Sequence, residues 1–227
     1  MSYIFPPQVL SIIPIHSSQA VFPVHRIYCV GKNYAAHARE MGSDPTTEIP
    51  CFFLKPADAI VTNGVMPYPS ATSNLHYEGE LVIALGKGGS NISEQNALEH
   101  VFGYAMGLDM TRRDLQTQAG RNGQPWDTGK AFDHSAPIST IYPHSLVGHI
   151  TSGSIKLWVN GQLKQDSDIS DLIWDGPRMI SELSKLFTLQ AGDLIFTGTP
   201  AGVGPVLAGD QLELKIAGLG VLTVKIV

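Results

Sequence analysis

The 227-residue sequence has little cysteine and no long apolar run. Cys29 and Cys51 lie in apolar, strand-like stretches without a second ligand at zinc-site spacing, which disfavours a zinc site. We predict two buried thiols outside any disulfide, as in a reducing compartment, and therefore a cytoplasmic protein. No stretch approaches the ~18 apolar residues of a membrane span, and no charged-then-apolar signal peptide opens the chain. Membrane association is not expected.

Positive charge is also scarce. The chain has 15 Lys and Arg but 20 Asp and Glu, and no cluster of basic residues occurs. Nucleic-acid binding is therefore disfavoured. The 23 Gly and 15 Pro are spread without a repeat, which favours many short strands. We predict a mainly β fold with short helices (α+β). We expect an N-terminal arm at residues 1–20 and one catalytic domain at residues 21–227.

The local patterns predict the following elements. Strands are expected at residues 26–30, 51–55, 155–159, 193–197, 211–216 and 219–227, with a hairpin turn at Asn160-Gly161. Helices are expected at residues 33–41, 94–100, 111–119 and from Pro177 onward. Asn33 is the predicted N-cap of the first helix, and Gly42 its stop. The last helix should bury an apolar stripe of Met179, Ile180, Leu183, Leu186 and Phe187.

Two carboxylates open an apolar strand at Glu78-Gly79-Glu80. Side chains two positions apart on a strand point to the same face, so Glu78 and Glu80 should lie side by side. Paired like charges cost free energy unless a cation or a proton lies between them. A divalent-metal site is one interpretation. A solvated strand end, with both side chains facing water, is the other.

Asp109 follows the apolar, glycine-containing run at residues 102–108. A buried strand that ends in a carboxylate could supply a third oxygen ligand. Mg²⁺ takes about six oxygen ligands, so three carboxylates would leave about three positions for substrate and water. Asp109 could also cap the helix predicted at residues 111–119, and both roles are compatible because capping uses one oxygen and the metal the other.

Three further groups could take part in chemistry. His37 and Glu40 lie three residues apart on one predicted helix, where a carboxylate can orient an imidazole base. The alternative is a solvated surface pair. Lys130 is a lone cation among glycine and apolar residues that either reaches solvent or meets an anion. Arg113 and Gln116, also three residues apart, can both face the proposed cation.

A glycine-rich loop at residues 197–204 follows a predicted strand and could offer N–H groups and hydroxyls to an anion. It lacks the Gly-Lys-Ser/Thr ending of a P-loop, and no Gly-x-Ser-x-Gly motif occurs in the chain. Nucleotide binding and serine-hydrolase chemistry are therefore not supported.

These motifs, in this order, resemble the fumarylacetoacetate hydrolase family over about residues 25–227. The matching segments are 30–37 (VGKNYAAH), 53–56 (FLKP), 78–80 (EGE), 108–111 (LDMT), 129–132 (GKAF) and 197–204 (TGTPAGVG). Within the family, residues 108–116 are most similar to the short, single-domain acylpyruvate and fumarylpyruvate hydrolases. Oxaloacetate decarboxylases and isomerases of dienedioates are close relatives.

The resemblance implies a mixed β-sandwich roll and a homodimer. It implies that Glu78, Glu80 and Asp109 bind Mg²⁺ or Mn²⁺. His37 and Glu40 would form a water-activating pair on a lid, and a substrate oxo acid or dicarboxylate would be contacted by Lys130, Arg113, Gln116 and Thr199. Gly79, where many relatives carry a larger residue, is expected to loosen the strand.

The implied activity is metal-dependent hydrolysis of a carbon–carbon bond in a 2,4-dioxo acid, with fumarylpyruvate giving fumarate and pyruvate. Two alternatives remain. The same scaffold could act as a decarboxylase or isomerase, or it could be a binding protein without catalysis.

Overall fold

The computed structural model describes residues 3–7, 9–42, 44 and 50–227. Its strands are β1 (Ile12–Pro14), β2 (Val21–Pro23), β3 (Ile27–Gly31), β4 (Cys51–Lys55), β5 (Ile60–Val61), β6 (Val65–Met66), β7 (Leu75–Tyr77), β8 (Gly79–Leu85), β9 (Val101–Leu108), β10 (Thr111–Arg112), β11 (Ala136–Pro137), β12 (Tyr142–Pro143), β13 (Ser154–Val159), β14 (Gln162–Asp168), β15 (Leu194–Phe196), β16 (Gly204–Pro205), β17 (Gln211–Ile216) and β18 (Val221–Ile226). Its α-helices are α1 (Ala35–Glu40), α2 (Glu94–Ala97), α3 (Arg113–Arg121), α4 (Asp127–Lys130), α5 (His144–Val147) and α6 (Gly176–Leu186). Short 3-10 helices occur at Ala57–Ala59, Leu98–His100 and Ile169–Asp171.

A six-stranded mixed sheet forms the centre of the molecule, in the order β12-β9-β8-β15-β3-β4. β15 and β3 are parallel, and the other neighbouring strands are antiparallel. Every residue of β8 is buried, which explains its nearly continuous apolar sequence. A strand of this kind is covered on both faces.

A second sheet has five strands in the order β14-β13-β17-β18-β6. Burial alternates along β17 and β18, as expected for strands with one solvated face. The predicted hairpin joins β13 and β14. Asn160 and Gly161 both have positive φ, at 49° and 78°, as a two-residue primed turn requires.

The two sheets share one apolar core. Leu81 and Met106 of the six-stranded sheet belong to the same buried cluster as Leu157 and Leu214 of the five-stranded sheet. A second cluster covers the opposite face of the six-stranded sheet and includes Val82, Ala84, Ala105, Phe196, Ile13 and Phe22. The predicted mixed α+β fold, mostly strands with short helices, is confirmed.

Three predicted details of the helices are wrong. The N-cap of α1 is Tyr34, because the side chain of Asn33 is instead buried in hydrogen bonds to the backbone of Trp174 and Thr197. α3 begins at Arg113, so Asp109 is not its cap. Leu186 is 65% exposed because α6 ends there on its solvent side.

The other members of the α6 stripe, Met179, Ile180 and Leu183, are fully buried, and Phe187 packs partly buried against the main core. Cys29 is buried and Cys51 half-buried, and neither of these described residues forms a disulfide.

The first residues of the chain carry apolar side chains outside the core. Tyr3, Ile4, Phe5 and Val9 are exposed. Further along, β1 pairs with β2 and brings Ile13 into the second cluster. The arm predicted at residues 1–20 therefore contributes to the core through β1, and its boundary stays a prediction. Among the described residues, no helix has the length and apolar character needed to cross a membrane.

Candidate active site

The pairing of two neighbouring strands brings three carboxylates together. Glu78 lies between β7 and β8, Glu80 is the second residue of β8, and Asp109 follows β9. β8 and β9 are antiparallel, with Glu80 opposite Gly107. The N–H of Asp109 donates to the carbonyl oxygen of Glu78 over 2.9 Å. This register places the end of one strand beside the start of the other.

The carboxylates of Glu78, Glu80 and Asp109 each offer an oxygen within 4.8 Å of the others, and all three residues are buried. Glu80 makes no ion pair with the described residues and accepts one hydrogen bond, from the N–H of Gly198 at 2.8 Å. Burial, together with the nearby Asp109 and Glu78 charges, raises the pKa of Glu80 well above its usual value.

Asp109 also has one carboxylate oxygen that accepts no hydrogen bond from the described residues. This oxygen, Oδ1, lies 2.9 Å from Nζ of Lys55. An all-oxygen set with an unsatisfied oxygen and an uncompensated carboxylate fits a hard divalent cation. Mg²⁺ or Mn²⁺ among Glu78, Glu80 and Asp109 would relieve their repulsion, so the residues present fit such a metal.

Lys130 meets an anion rather than solvent. Its Nζ donates to Oε2 of Glu78 and to Oδ2 of Asp109, both at 2.7 Å. Burial lowers the pKa of this ammonium, but the charges of Asp109 and Glu78 outweigh that effect and raise it. Lys130 is therefore a protonated hydrogen-bond donor at neutral pH.

Lys55 is a buried cation that the motif analysis did not assign to the site. Its Nζ lies beside Asp109 and donates to the carbonyl oxygens of Met110, at 3.2 Å, and Lys130. It lies in the FLKP segment that carried the family resemblance, and this was the one sequence signal for it. A buried lysine stays charged only beside compensating groups.

Arg113 and Gln116 both face the site, as predicted. Arg113 donates through Nη2 to Glu78 and through Nη1 to Oε1 of Gln116, the latter at 2.6 Å. Glu78 is buried, which by itself raises the pKa of its carboxyl, but Lys130 and Arg113 hold it below its usual range. Glu78 is therefore ionised.

His76 supports Arg113 from β7, the strand that pairs with β10. Nε of Arg113 donates to Nδ1 of His76 over 3.4 Å, and Nε2 of His76 lies 2.9 Å from Oδ1 of Asn74. Burial and the charge of Arg113 lower the pKa of His76 to about 4. A neutral ring with its proton on Nε2 satisfies both contacts.

His37 and Glu40 form the predicted contact on α1, with Nδ1 3.0 Å from Oε2. The His37 side chain is only 8% exposed, so the alternative of a solvated surface pair is wrong for the imidazole. Both carboxylate oxygens of Glu40 also accept from the N–H of Gly202, at 3.2 Å, in the glycine-rich loop. If Nδ1 donates to Glu40, the lone pair on Nε2 of His37 is available to a proton.

Gln165 is a buried residue of β14 that sequence reasoning missed. Its Oε1 accepts from the N–H of Gly79 at 3.0 Å, and its Nε2 donates to Oγ1 of Thr199 at 2.7 Å. Thr199 in turn donates to the carbonyl oxygen of Gly79 at 3.0 Å. β14 reads as a polar strand, and nothing in its sequence distinguishes Gln165 from its neighbours.

The expectation that Gly79 loosens the strand is wrong. A Cβ at this position would lie 2.9 Å from Leu214 and 3.0 Å from Leu157, so glycine permits close packing of the two sheets here. Its N–H and carbonyl oxygen are also both bonded. The backbone between the two glutamates is held tightly.

Eight of the nine candidate residues border one cavity of about 240 Å³. The ninth, Glu40, does not border the cavity but contacts His37, which does. The cavity is bordered by His37, Glu78, Glu80, Asp109, Arg113, Gln116, Lys130 and Thr199, and also by Val30, Gly31, Lys32, Met41, Phe53, Thr117, Gly120, Arg121 and Trp126. The site therefore combines a candidate cation site, a candidate base and several anion-binding groups in one space.

Comparison with known proteins finds similar sequences along most of the chain. Residues 26–227 match the family model for the fumarylacetoacetate (FAA) hydrolase C-terminal domain. A fumarylpyruvate hydrolase of Ralstonia sp is 46% identical over 184 residues, covering 81% of this chain and 95% of that protein. The mitochondrial oxaloacetate tautomerase FAHD1 of Homo sapiens is 43% identical over 203 residues, covering 88% and 90%.

A solved structure is also similar along the whole chain. It is the crystal structure of fumarylpyruvate hydrolase from Pseudomonas aeruginosa in complex with Mn²⁺ and pyruvate. It superposes with a TM-score of 0.98 at 53% identity and covers 100% of this chain and 99% of that one.

Proposed function

This chain belongs to the fumarylacetoacetate hydrolase family of enzymes, and we propose that it hydrolyses a carbon–carbon bond of an acylpyruvate in a reaction that depends on a divalent metal. The proposed substrate is fumarylpyruvate, and the products are fumarate and pyruvate. The single observation that carries the proposal is the cavity in which three buried carboxylates, Lys130 and His37 lie together.

In this proposal Glu78, Glu80 and Asp109 hold Mg²⁺ or Mn²⁺. When bound there, such a cation would supply positive charge for the 2-oxo-acid end of the substrate and for a developing enolate. Arg113 and Gln116 contribute side-chain hydrogen-bond donors to the substrate oxygens, and Thr199, whose hydroxyl donates to Gly79, contributes its backbone N–H. Since Arg113 is held by both Glu78 and His76, its guanidinium is already in position when the substrate arrives.

His37 acts as the general base on water. Its Nδ1 faces Glu40, so Nε2 takes the proton while the carboxylate stabilises the resulting imidazolium. The hydroxide equivalent adds to the C4 carbonyl carbon of the 2,4-dioxo acid. Glu40 is fixed by the N–H of Gly202, and this contact keeps the base oriented.

Breakage of the C3–C4 bond then releases the carboxylic acid and leaves its electron pair on C3 as the enolate of pyruvate. The ammonium of Lys130 donates a hydrogen bond to the negative oxygen of this enolate, and its raised pKa keeps it charged for the role. Proton transfer to C3, with His37 as the donor, gives pyruvate and restores the neutral base.

A second candidate function is decarboxylation or tautomerisation of oxaloacetate at the same site. It is supported by the similarity to oxaloacetate tautomerase FAHD1 and requires the same metal and enolate stabilisation without attack by water. The contact between the buried imidazole of His37 and Glu40 favours hydrolysis, because only that reaction needs an activated water. The third candidate, a binding protein without catalysis, does not require the His37–Glu40 contact.

The test offers fumarylpyruvate, acetylpyruvate and oxaloacetate side by side to the Mg²⁺-loaded protein. 2,4-Dioxo acids absorb in the near ultraviolet, so hydrolysis appears as loss of absorbance, and pyruvate is quantified as the product. We expect turnover of fumarylpyruvate above that of the other two substrates. Turnover of oxaloacetate alone would instead establish the second candidate, and binding without turnover the third.

We also propose that the protein is a homodimer with its catalytic domain at residues 21–227. Light scattering coupled to size-exclusion chromatography tests the first statement and should give twice the mass of 24.4 kDa. A monomer mass at micromolar concentration would contradict it.

A further inference from the structure

We propose that Arg121, at the end of α3, binds the second carboxylate of a dicarboxylic substrate and so makes the enzyme selective for dioic over monocarboxylic oxo acids. This inference rests on the proposed function, because it assumes that the 2-oxo-acid end of the substrate lies at the three carboxylates. It extends that function by naming the residue that binds the opposite end of the substrate.

α3 presents one continuous face to the cavity. The bordering positions are Arg113, Gln116, Thr117, Gly120 and Arg121, which follow helical spacing. Arg113 and Arg121 are eight residues apart, and a rise of 1.5 Å per residue separates their Cα atoms by about 12 Å. An extended chain of several carbons can therefore place one end near each arginine.

The two arginines differ in what they already bind. Arg113 is buried and its guanidinium is used by Glu78, Gln116 and His76. Arg121 is exposed and makes no hydrogen bond or ion pair with the described residues. Asp114, on the same helix, is bonded to Thr72 and Ser73 and is not bonded to Arg121.

The charges of the site also favour a second anion here. Glu78, Glu80 and Asp109 are matched by Lys55, Lys130 and Arg113. A divalent cation would therefore leave excess positive charge for the 2-oxo-acid end. Arg121 adds one more positive charge on the cavity wall, and no carboxylate of the described residues forms an ion pair with it. Arginine binds a carboxylate through two parallel hydrogen bonds.

The rest of the wall suits a hydrocarbon segment. Phe53 and Trp126 border the cavity and contact each other edge to face, with ring centroids 5.9 Å apart. Gly120, one residue before Arg121, has no Cβ and lies near the Trp126 indole. A chain with polar ends and a flat, unsaturated middle fits these surfaces.

The test measures binding of two matched ligands to the Mg²⁺-loaded protein by calorimetry. 2-Oxoadipate and 2-oxohexanoate have the same number of carbons and differ in the distal carboxylate. We expect the wild-type protein to bind 2-oxoadipate about tenfold more tightly, a difference typical of one charge-assisted contact. Arg121→Gln should reduce the preference below about threefold without changing the affinity for 2-oxohexanoate by more than about twofold.

Two variants control for other effects. Arg121→Lys keeps the charge and should retain part of the preference. Arg178→Gln removes an exposed arginine of α6 that does not border the cavity and should retain all of it. An unchanged preference in Arg121→Gln, or no preference in the wild-type protein, would overturn the proposal.

Kinetics separate this inference from the proposed function. If the wild-type protein cleaves fumarylpyruvate, Arg121→Gln should raise its KM about tenfold and leave kcat/KM for acetylpyruvate within about twofold. If it cleaves neither substrate but the binding preference depends on Arg121, the hydrolase proposal fails and the carboxylate site stands.

Discussion

Single side chains in this site act through their partners. His37 is oriented by Glu40, and Glu40 by the N–H of Gly202. Arg113 is held by Glu78 and by the neutral ring of His76. Such second contacts fix ring and guanidinium orientation before a substrate binds, and losing them costs activity without removing a reacting group.

We expect His37→Ala to lower kcat about 10²- to 10⁴-fold, because the variant loses its general base while the carboxylate cluster is unchanged. Initial rates with fumarylpyruvate at saturating Mg²⁺ measure the effect. Glu40→Gln, which keeps the base but weakens its orientation, should cost less. A His37→Ala rate within twofold of wild type would mean that another group activates the water.

We expect Gln165→Leu to weaken Mn²⁺ binding about tenfold and to raise the KM for fumarylpyruvate, as losses of supporting contacts typically do. The variant frees the N–H of Gly79 and one contact of Thr199, so both the glutamate strand and the substrate side are affected. Electron paramagnetic resonance during a Mn²⁺ titration measures the metal affinity, and initial rates with fumarylpyruvate measure the KM.

The control for Gln165→Leu is Ser184→Ala, which removes another buried polar group remote from the cavity. Both variants should lose about 1–3 kcal/mol of unfolding free energy. Only Gln165→Leu should change the metal affinity. Equal metal affinity in the two variants would assign Gln165 a purely structural role.

At the scale of elements, α3 and α4 contact each other and both border the cavity. α3 carries Arg113 and Gln116, and α4 ends at Lys130. The helices touch at Gly129, where a Cβ would lie 2.8 Å from the backbone nitrogen of Gln116. A glycine is needed here because the neighbouring atom belongs to the main chain and cannot rotate away.

We expect Gly129→Ala to destabilise the protein by about 1–3 kcal/mol, because it overpacks this contact. Gly120→Ala is the matched control on α3. Its Cβ would lie 3.7 Å from the Trp126 indole, an ordinary contact, and helical propensity favours alanine by about 0.5–1 kcal/mol. The urea concentration at the midpoint of unfolding should therefore fall in Gly129→Ala and rise in Gly120→Ala. A stable Gly129→Ala protein would contradict the tight contact.

At the scale of the whole molecule, burial of three carboxylates would tie folding to the proposed metal binding. Glu78, Glu80 and Asp109 are buried at the paired ends of β8 and β9 in the six-stranded sheet. Burial raises the pKa of Glu80, and its two neighbours raise it further. A ligand that binds the folded state alone stabilises that state in proportion to its concentration and affinity.

We expect Mg²⁺ or Mn²⁺ at 100 times its Kd to raise the unfolding temperature by about 5–10 °C over the chelated protein, from about 2.7 kcal/mol of binding energy. Asp109→Asn should lose the metal-induced shift. Asp58→Asn, at an exposed carboxylate that does not border the cavity, should keep it. Differential scanning calorimetry measures the shifts. An equal shift in both variants would place the metal elsewhere.

Much of the candidate site could be predicted because its signals are local. Alternation along a strand puts Glu78 and Glu80 on one face, and helical spacing pairs His37 with Glu40. Lys55 and Gln165 could not be found in this way. Each contacts the site through a strand distant in sequence, and a lone lysine or glutamine on a strand carries no such pattern.

The sequence alone determined the strand-rich composition, the hairpin at Asn160-Gly161, the paired carboxylates and the family. These depend on backbone preferences and side-chain periodicity within a few residues. Only the tertiary structure decided that Asn33 bonds across the core instead of capping α1, and that Asp109 faces Lys130 instead of capping α3. The reason is physical: buried polar groups take whichever partners the packed sheets bring near, and those partners lie far away along the chain.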